Sequence, residues 1–231
     1  MAQAPHTQWP GPHTVTSDLA DQFCAGQGPF ALDAAEAERA MQSAGAELLD
    51  RIGPAILLTH SMGGSFGWLV ADARPGIVKA IVAIEPAGPP FGELGPGLGT
   101  LRWGVTAKPL HYDPPARAPT DFKLDIRPAP RNGLTSCFVQ ADPPLQLPNL
   151  RRLPVLVVTA DASPSSRIDH GTVDYLRQAG VAAEHLRLEE IGIRGNVHLM
   201  MPERNSDEIA GRLIDWLTRT LPPSDRSSSL E

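Results

Sequence analysis

Ser61, Glu85, Asp161 and His198 follow one another in the order nucleophile, carboxylate, imidazole. A serine hydroxyl is too weak an acid to attack at neutral pH unless an imidazole within hydrogen-bond reach takes its proton. A carboxylate then fixes the imidazole tautomer and stabilises its cation. Residues of these types can carry acyl transfer through a covalent serine ester. The serine is the most strongly signalled of them. Ala55-Ile56-Leu57-Leu58 reads as a short buried strand, Ser61-Met62-Gly63-Gly64 as a tight turn, and residues 65–73 as a helix. Strand, sharp turn and helix form the context of a nucleophile elbow, in which the Met62 N–H and the helix N-terminus face a developing oxyanion. Gly63 is expected to let that helix pack close to the strand. The position two residues before the serine, usually Gly in such elbows, is Thr59. The plainer role for Ser61 is to cap the helix.

His198 lies in the loop 192–201, between the last strand and the last helix, where it can swing over the elbow. His60 points away from Ser61 along the strand and reads as a satisfied core histidine. His6 and His13 fall in an irregular arm, His111 in a proline-rich stretch, His185 on an edge strand, and His170 beside Asp169 as a cap or supporting residue. The residues alone leave the acid open between Glu85, a loop or capping carboxylate on the plainer view, and Asp161, a turn residue before Ser163-Pro164.

The elements that must position these groups follow from periodicity. Residues 1–32 show neither helical nor alternating spacing and read as an extended arm lying on another surface. Asp33, with Glu36 three residues on, caps a helix carrying Ala37, Ala40, Met41, Ala44, Leu48 and Ile52, which Gly53-Pro54 stops. Ala80 to Ile84 and Pro154 to Ala160 are continuous apolar runs, as parallel strands buried on both faces should be. A helix over 172–178 and an alternating edge strand over 185–189 come next. A final helix starts at Asn205, with Glu208 at N3, and presents Ile209, Leu213, Trp216 and Leu217. The expected fold is α/β, a three-layer, mostly parallel sheet over 33–222. A proline-rich cap or lid segment is inserted at about 91–150, where Trp103, Tyr112 and Phe122 would shape an apolar acyl or alcohol pocket. Residues 223–231 read as a tail.

With 231 residues, 42% hydrophobic and 20% charged, the chain suits one globular domain. A net charge of −6 offers no basic patch for nucleic acid. No apolar run reaches membrane-spanning length. Cys24 and Cys137 lack metal-ligand spacing; one disulfide is open to them, and ordinary buried thiols are the simpler expectation. The amino terminus shows no basic and apolar leader, so a cytoplasmic location is expected if that terminus is native.

Taken together, Leu58-Thr59-His60-Ser61-Met62-Gly63-Gly64, Val82-Ala83-Ile84-Glu85-Pro86-Ala87-Gly88-Pro89-Pro90 and Gly192-Ile193-Arg194-Gly195-Asn196-Val197-His198-Leu199-Met200-Met201 resemble the α/β-hydrolase superfamily, and more closely a bacterial esterase subgroup. The resemblance runs from Trp9 to the final helix, and the block around His198 is its most specific part. It implies a shortened α/β-hydrolase fold and a serine ester hydrolase without metal or organic cofactor, acting on a small-molecule ester. It implies Ser61 as nucleophile, His198 as base, Glu85 as acid in preference to Asp161, and the Met62 amide as oxyanion donor. An acyltransferase, a lactone or thioester hydrolase, and an inactive binding module stay open. Members of the subgroup begin with further strands and a His- and Gly-rich loop that completes the oxyanion hole, and nothing in residues 1–54 matches these. The chain thus resembles the carboxy-terminal part of such an esterase, and its elbow strand would lie at a sheet edge that invites pairing with a second copy; a homodimer follows as an expectation.

Overall fold

The computed structural model describes residues 4–12, 18–26, 28, 33–95 and 97–222. In chain order the elements are helices α1 (Asp18–Ala25) and α2 (Ala34–Ile52), strand β1 (Ala55–His60), helix α3 (Gly63–Ala73), strands β2 (Val78–Ile84), β3 (Leu124–Arg127), β4 (Cys137–Gln140) and β5 (Pro154–Thr159), helix α4 (Asp169–Gln178), strand β6 (Ala182–Arg187) and helix α5 (Ser206–Thr220). Four strands form one parallel sheet in the order β1-β2-β5-β6, while β3 and β4 make a separate antiparallel pair. Helices α3 and α4 make the crossovers β1–β2 and β5–β6 that parallel neighbours need, while the long segment holding β3 and β4 connects β2 to β5.

Successive side chains alternate between the faces of the sheet. Ile81, Ala83, Val155 and Val157 pack with Trp68 and Leu69 of α3 and Tyr175 and Leu176 of α4 on one face. On the other, Val82, Ile84, Leu156 and Val158 pack with Ile209, Leu213 and Trp216 of α5. Both faces are covered, which is why Ala80 to Ile84 of β2 and Val155 to Val158 of β5 are continuous apolar runs.

Several expectations change here. The arm is not wholly extended, since α1 forms within it with Asp18 and Asp21 in its first turn, where negative charge complements the helix dipole. Arm residues 1–3, 13–17, 27 and 29–32, His13 included, and the tail from residue 223 lie outside the described residues. Trp103, Tyr112 and Phe122 do not shape a pocket. They are buried in the core on the α3–α4 side, where Phe122 meets Phe91, Trp103 and Tyr112 edge to face and the Tyr112 and Tyr175 hydroxyls are 2.7 Å apart. Large apolar rings in an irregular segment gain most by joining the core, and the tyrosine hydroxyls satisfy one another there. Of the cysteines, Cys137 is buried, Cys24 is exposed, and both are free thiols.

The stripe on α2 is also only partly buried. Asp33 caps the helix as expected, accepting from the Glu36 N–H at 2.8 Å. Ala37 and Leu49 reach the core, but Met41, Leu48 and Ile52 stay exposed. They line a groove of about 440 Å³ along the outer edge of β1, together with Ile56, Leu58 and Phe66. Among the described residues no strand pairs with that edge.

Candidate active site

The elbow forms as its sequence requires. Ser61 follows β1 with φ of +56°, in the left-handed region that few residues other than glycine adopt. Its amide donates to the Ile84 carbonyl at 3.1 Å, and its own carbonyl accepts from Gly64 and Ala87, both at 2.9 Å. These bonds hold a backbone that would otherwise relax. Close packing of α3 depends on Gly64 and Gly67 rather than on Gly63. A Cβ on Gly64 would lie 2.5 Å from Pro86 Cβ, and one on Gly67 2.9 Å from Thr59 Cγ2, whereas one on Gly63 would meet nothing nearer than 3.8 Å. The Met62 N–H has no hydrogen-bond partner among the described residues.

Glu85 follows β2 at φ of +41° and is 1% exposed. Its Oε1 accepts the Ala160 N–H at 2.9 Å, and its Oε2 accepts the Ser163 hydroxyl at 2.5 Å. The same Oε2 lies 2.7 Å from His198 Nδ1. A buried carboxylate accepts here, so Nδ1 carries the proton and a neutral ring keeps its lone pair on Nε2. Among the described residues that lone pair is unpartnered, and no hydrogen bond yet joins it to Ser61 Oγ. Nucleophile–base contacts are often long in a structure without substrate and tighten on binding. Asp161 sits elsewhere: its Oδ1 accepts the Gly195 N–H at 2.8 Å, so it braces the loop that carries His198 and does not touch the ring.

That loop is held from several directions. The Asn196 side-chain amide donates to Glu203 Oε2 and to Asn205 Oδ1, both at 2.6 Å, and the Val197 N–H donates to Glu203 Oε1 at 3.0 Å. Asn205 is therefore committed to Asn196, and it flanks α5 without the side-chain cap that its position in the sequence suggests. The arm crosses the same loop. Thr7 N–H donates to the Gly195 carbonyl at 3.0 Å, Gln8 Nε2 to the Arg194 carbonyl at 2.9 Å, and Arg204 N–H to the Gln8 carbonyl at 2.9 Å. His6 Nε2 lies 2.7 Å from buried Glu203. Gly195, at φ of +78°, leaves no room for a side chain, since a Cβ would lie 1.9 Å from Thr7 Oγ1.

His60 is not a core histidine. It is half-buried, its Nε2 is 2.8 Å from the His198 carbonyl, and the two rings lie 4.5 Å apart. Farther along the sheet, the Thr159 hydroxyl donates to buried Asp169 at 2.7 Å and stands 2.9 Å from His185 Nε2. Burial holds the Asp169 carboxyl well above its ordinary range and pushes His185 down to about 3. His170 is the second residue of α4, with Nε2 3.9 Å from Cys137 Sγ. Among the described residues, no cluster of three or more His, Cys, Asp or Glu side chains could hold a metal ion.

Sequence reasoning missed Ser163, Asn196 and Glu203. Ser163 stands in a plain turn signal, and the burial of one acidic residue in the Met-Pro-Glu-Arg loop has no local signature.

A model described as the alpha/beta hydrolase family matches residues 8–212. A protein of Fungal sp. (strain ATCC 74256) named a probable secreted lipase, phiG, is 45% identical over 216 residues, which are 93% of this chain and 59% of that protein. The chain thus spans under two thirds of that relative. Among solved structures, a bacterial esterase is 24% identical over 76% of this chain and 41% of its own, with a TM-score of 0.46. A monoacylglycerol lipase of Paleococcus ferrophilus is 16% identical over 82% of this chain and 77% of its own, with a TM-score of 0.44.

Proposed function

Because the chain belongs to the alpha/beta hydrolase family, we propose that it hydrolyses carboxylic esters through an acyl-enzyme on Ser61, with His198 as base and Glu85 as acid. The observation that carries this reading is the 2.7 Å contact of Glu85 Oε2 with His198 Nδ1, at the same end of the sheet as the strained elbow serine. In this mechanism His198 Nε2 takes the Ser61 proton as Oγ attacks the ester carbonyl. The tetrahedral oxyanion accepts from the Met62 N–H. Collapse breaks the ester C–O bond, and the alcohol leaves with the proton held by His198. Water gives a proton to the same nitrogen, attacks the acyl-enzyme, and releases the acid and the free serine. The name of the 45% identical relative supports an ester with apolar acyl groups.

The test is hydrolysis of p-nitrophenyl esters of short and medium chain length, beside Ser61→Ala. The expected result is turnover by the chain, lost in the variant, with an organophosphonate labelling Ser61 stoichiometrically. Folded protein with no Ser61-dependent turnover or labelling would overturn the assignment.

A further inference from the structure

We propose that His60 is a positioning residue for His198, tying the base to the strand that carries the nucleophile. The inference rests on the reading of Ser61 and His198 just given. A carbonyl oxygen can only accept, so the 2.8 Å contact to the His198 carbonyl requires the proton of His60 to sit on Nε2. That bond anchors the main chain of His198 from one side. The His60 ring packs against that of His198, with centroids 4.5 Å apart and planes tilted by 41°. Glu85 holds the far edge of the ring through Nδ1. Main chain, ring face and Nδ1 are thus each fixed, and only the Nε2 lone pair is left to act.

His60 immediately precedes Ser61, so the distance between nucleophile and base passes through one residue of β1 and one hydrogen bond. The arm and Asp161 hold the loop at residues 194–195 and Glu203 holds it at 197, but none of these groups contacts the His198 ring. His60 does. Burial holds His60 below the usual histidine range, which suits a group that must stay uncharged beside a ring that becomes cationic during turnover.

The experiment compares His60→Ala and His60→Gln with the unaltered chain in ester hydrolysis, and follows the ring nitrogens of His198 by ¹⁵N NMR. A side-chain amide at position 60 can still donate to the His198 carbonyl. Expected are a fall in kcat of about 10- to 100-fold for His60→Ala with KM changed less than about twofold, as misplacement of a catalytic group by about an ångström produces. His60→Gln should restore most of that loss. The Nδ1–H signal of His198 should be sharp in the unaltered chain and broadened in His60→Ala. Unchanged kcat in His60→Ala, or a loss of kcat that the glutamine does not recover, would overturn the proposal while leaving Ser61-dependent turnover intact. Should the unaltered chain show no Ser61-dependent turnover, the esterase reading fails by itself. The NMR comparison then decides His60 alone, with identical His198 spectra in both proteins refuting the positioning role.

Discussion

The two halves of the site differ in how completely this chain builds them. On the base side, Glu85 accepts three hydrogen bonds, Asn196 and Glu203 are buried and paired, and the arm crosses the loop at residues 194–195. On the nucleophile side, Ser61 follows a strand whose outer edge pairs with no other strand among the described residues, and the Met62 N–H proposed as oxyanion donor has no partner among them. Buried polar groups are costly unless paired, so the base side must be finished for the loop to hold one position. The elbow, by contrast, is held in its strained backbone by hydrogen bonds to Gly64 and to Ile84 and Ala87 on the β2 side of β1.

The sharpest way to break this comparison is at the acid. Glu85→Gln keeps the shape but can offer Nδ1 a donor where it needs an acceptor, and kcat should fall by about ten-thousand-fold, as when a triad acid is made neutral. Asp161→Asn, which still accepts from the Gly195 N–H, should lose less than about tenfold. Equal losses, read from kcat on one ester, would mean that the loop brace matters as much as the acid. Gly195→Ala comes next. A methyl group there meets Thr7 and demands a strained φ, so unfolding in denaturant should show about 1–3 kcal/mol of lost stability. The nucleophile side predicts a smaller effect: Met62→Ala keeps the amide and should change kcat by less than about threefold. A larger loss in that variant would show that the side chain, not the N–H, does the work.

What the sequence made legible follows the same division. Strands β2 and β5 and the elbow were readable because each is a local pattern: a continuous apolar run, or a serine and paired glycines at a strand end. The acid was left open between Glu85 and Asp161 by the residues alone, since both follow buried strands, and the choice of Glu85 came from the family resemblance. Only the fold shows that Asp161 turns to the Gly195 amide while Glu85 reaches His198. Gly63 was expected to allow the close approach of α3, but the tight contact is that of Gly64 with Pro86, which follows the next strand. The aromatic residues of 91–150 were misplaced for a similar reason. Irregular backbone hides periodicity, and nothing local to Trp103 or Phe122 tells a pocket wall from a core. His60 was read as a core histidine from its direction along β1, but its partner, the His198 carbonyl, lies 138 residues away.

The smallest effect expected is at the outer edge of β1, unpaired among the described residues, and it tests whether that edge contributes to the fold at all. Leu58 and Leu156 are both leucines on the α5 face of the sheet, yet Leu58 is 64% exposed and Leu156 is 2% exposed. Truncating a buried leucine removes its transfer free energy and leaves a cavity, so Leu156→Ala should cost about 2–5 kcal/mol. An exposed leucine has little of either to lose, and Leu58→Ala should fall within about 0.5 kcal/mol of the unaltered chain at low protein concentration. Urea unfolding of both variants, followed by circular dichroism, makes the comparison. A cost at Leu58 approaching that at Leu156 would mean that β1 is covered in solution, and that the nucleophile side is as finished as the base side.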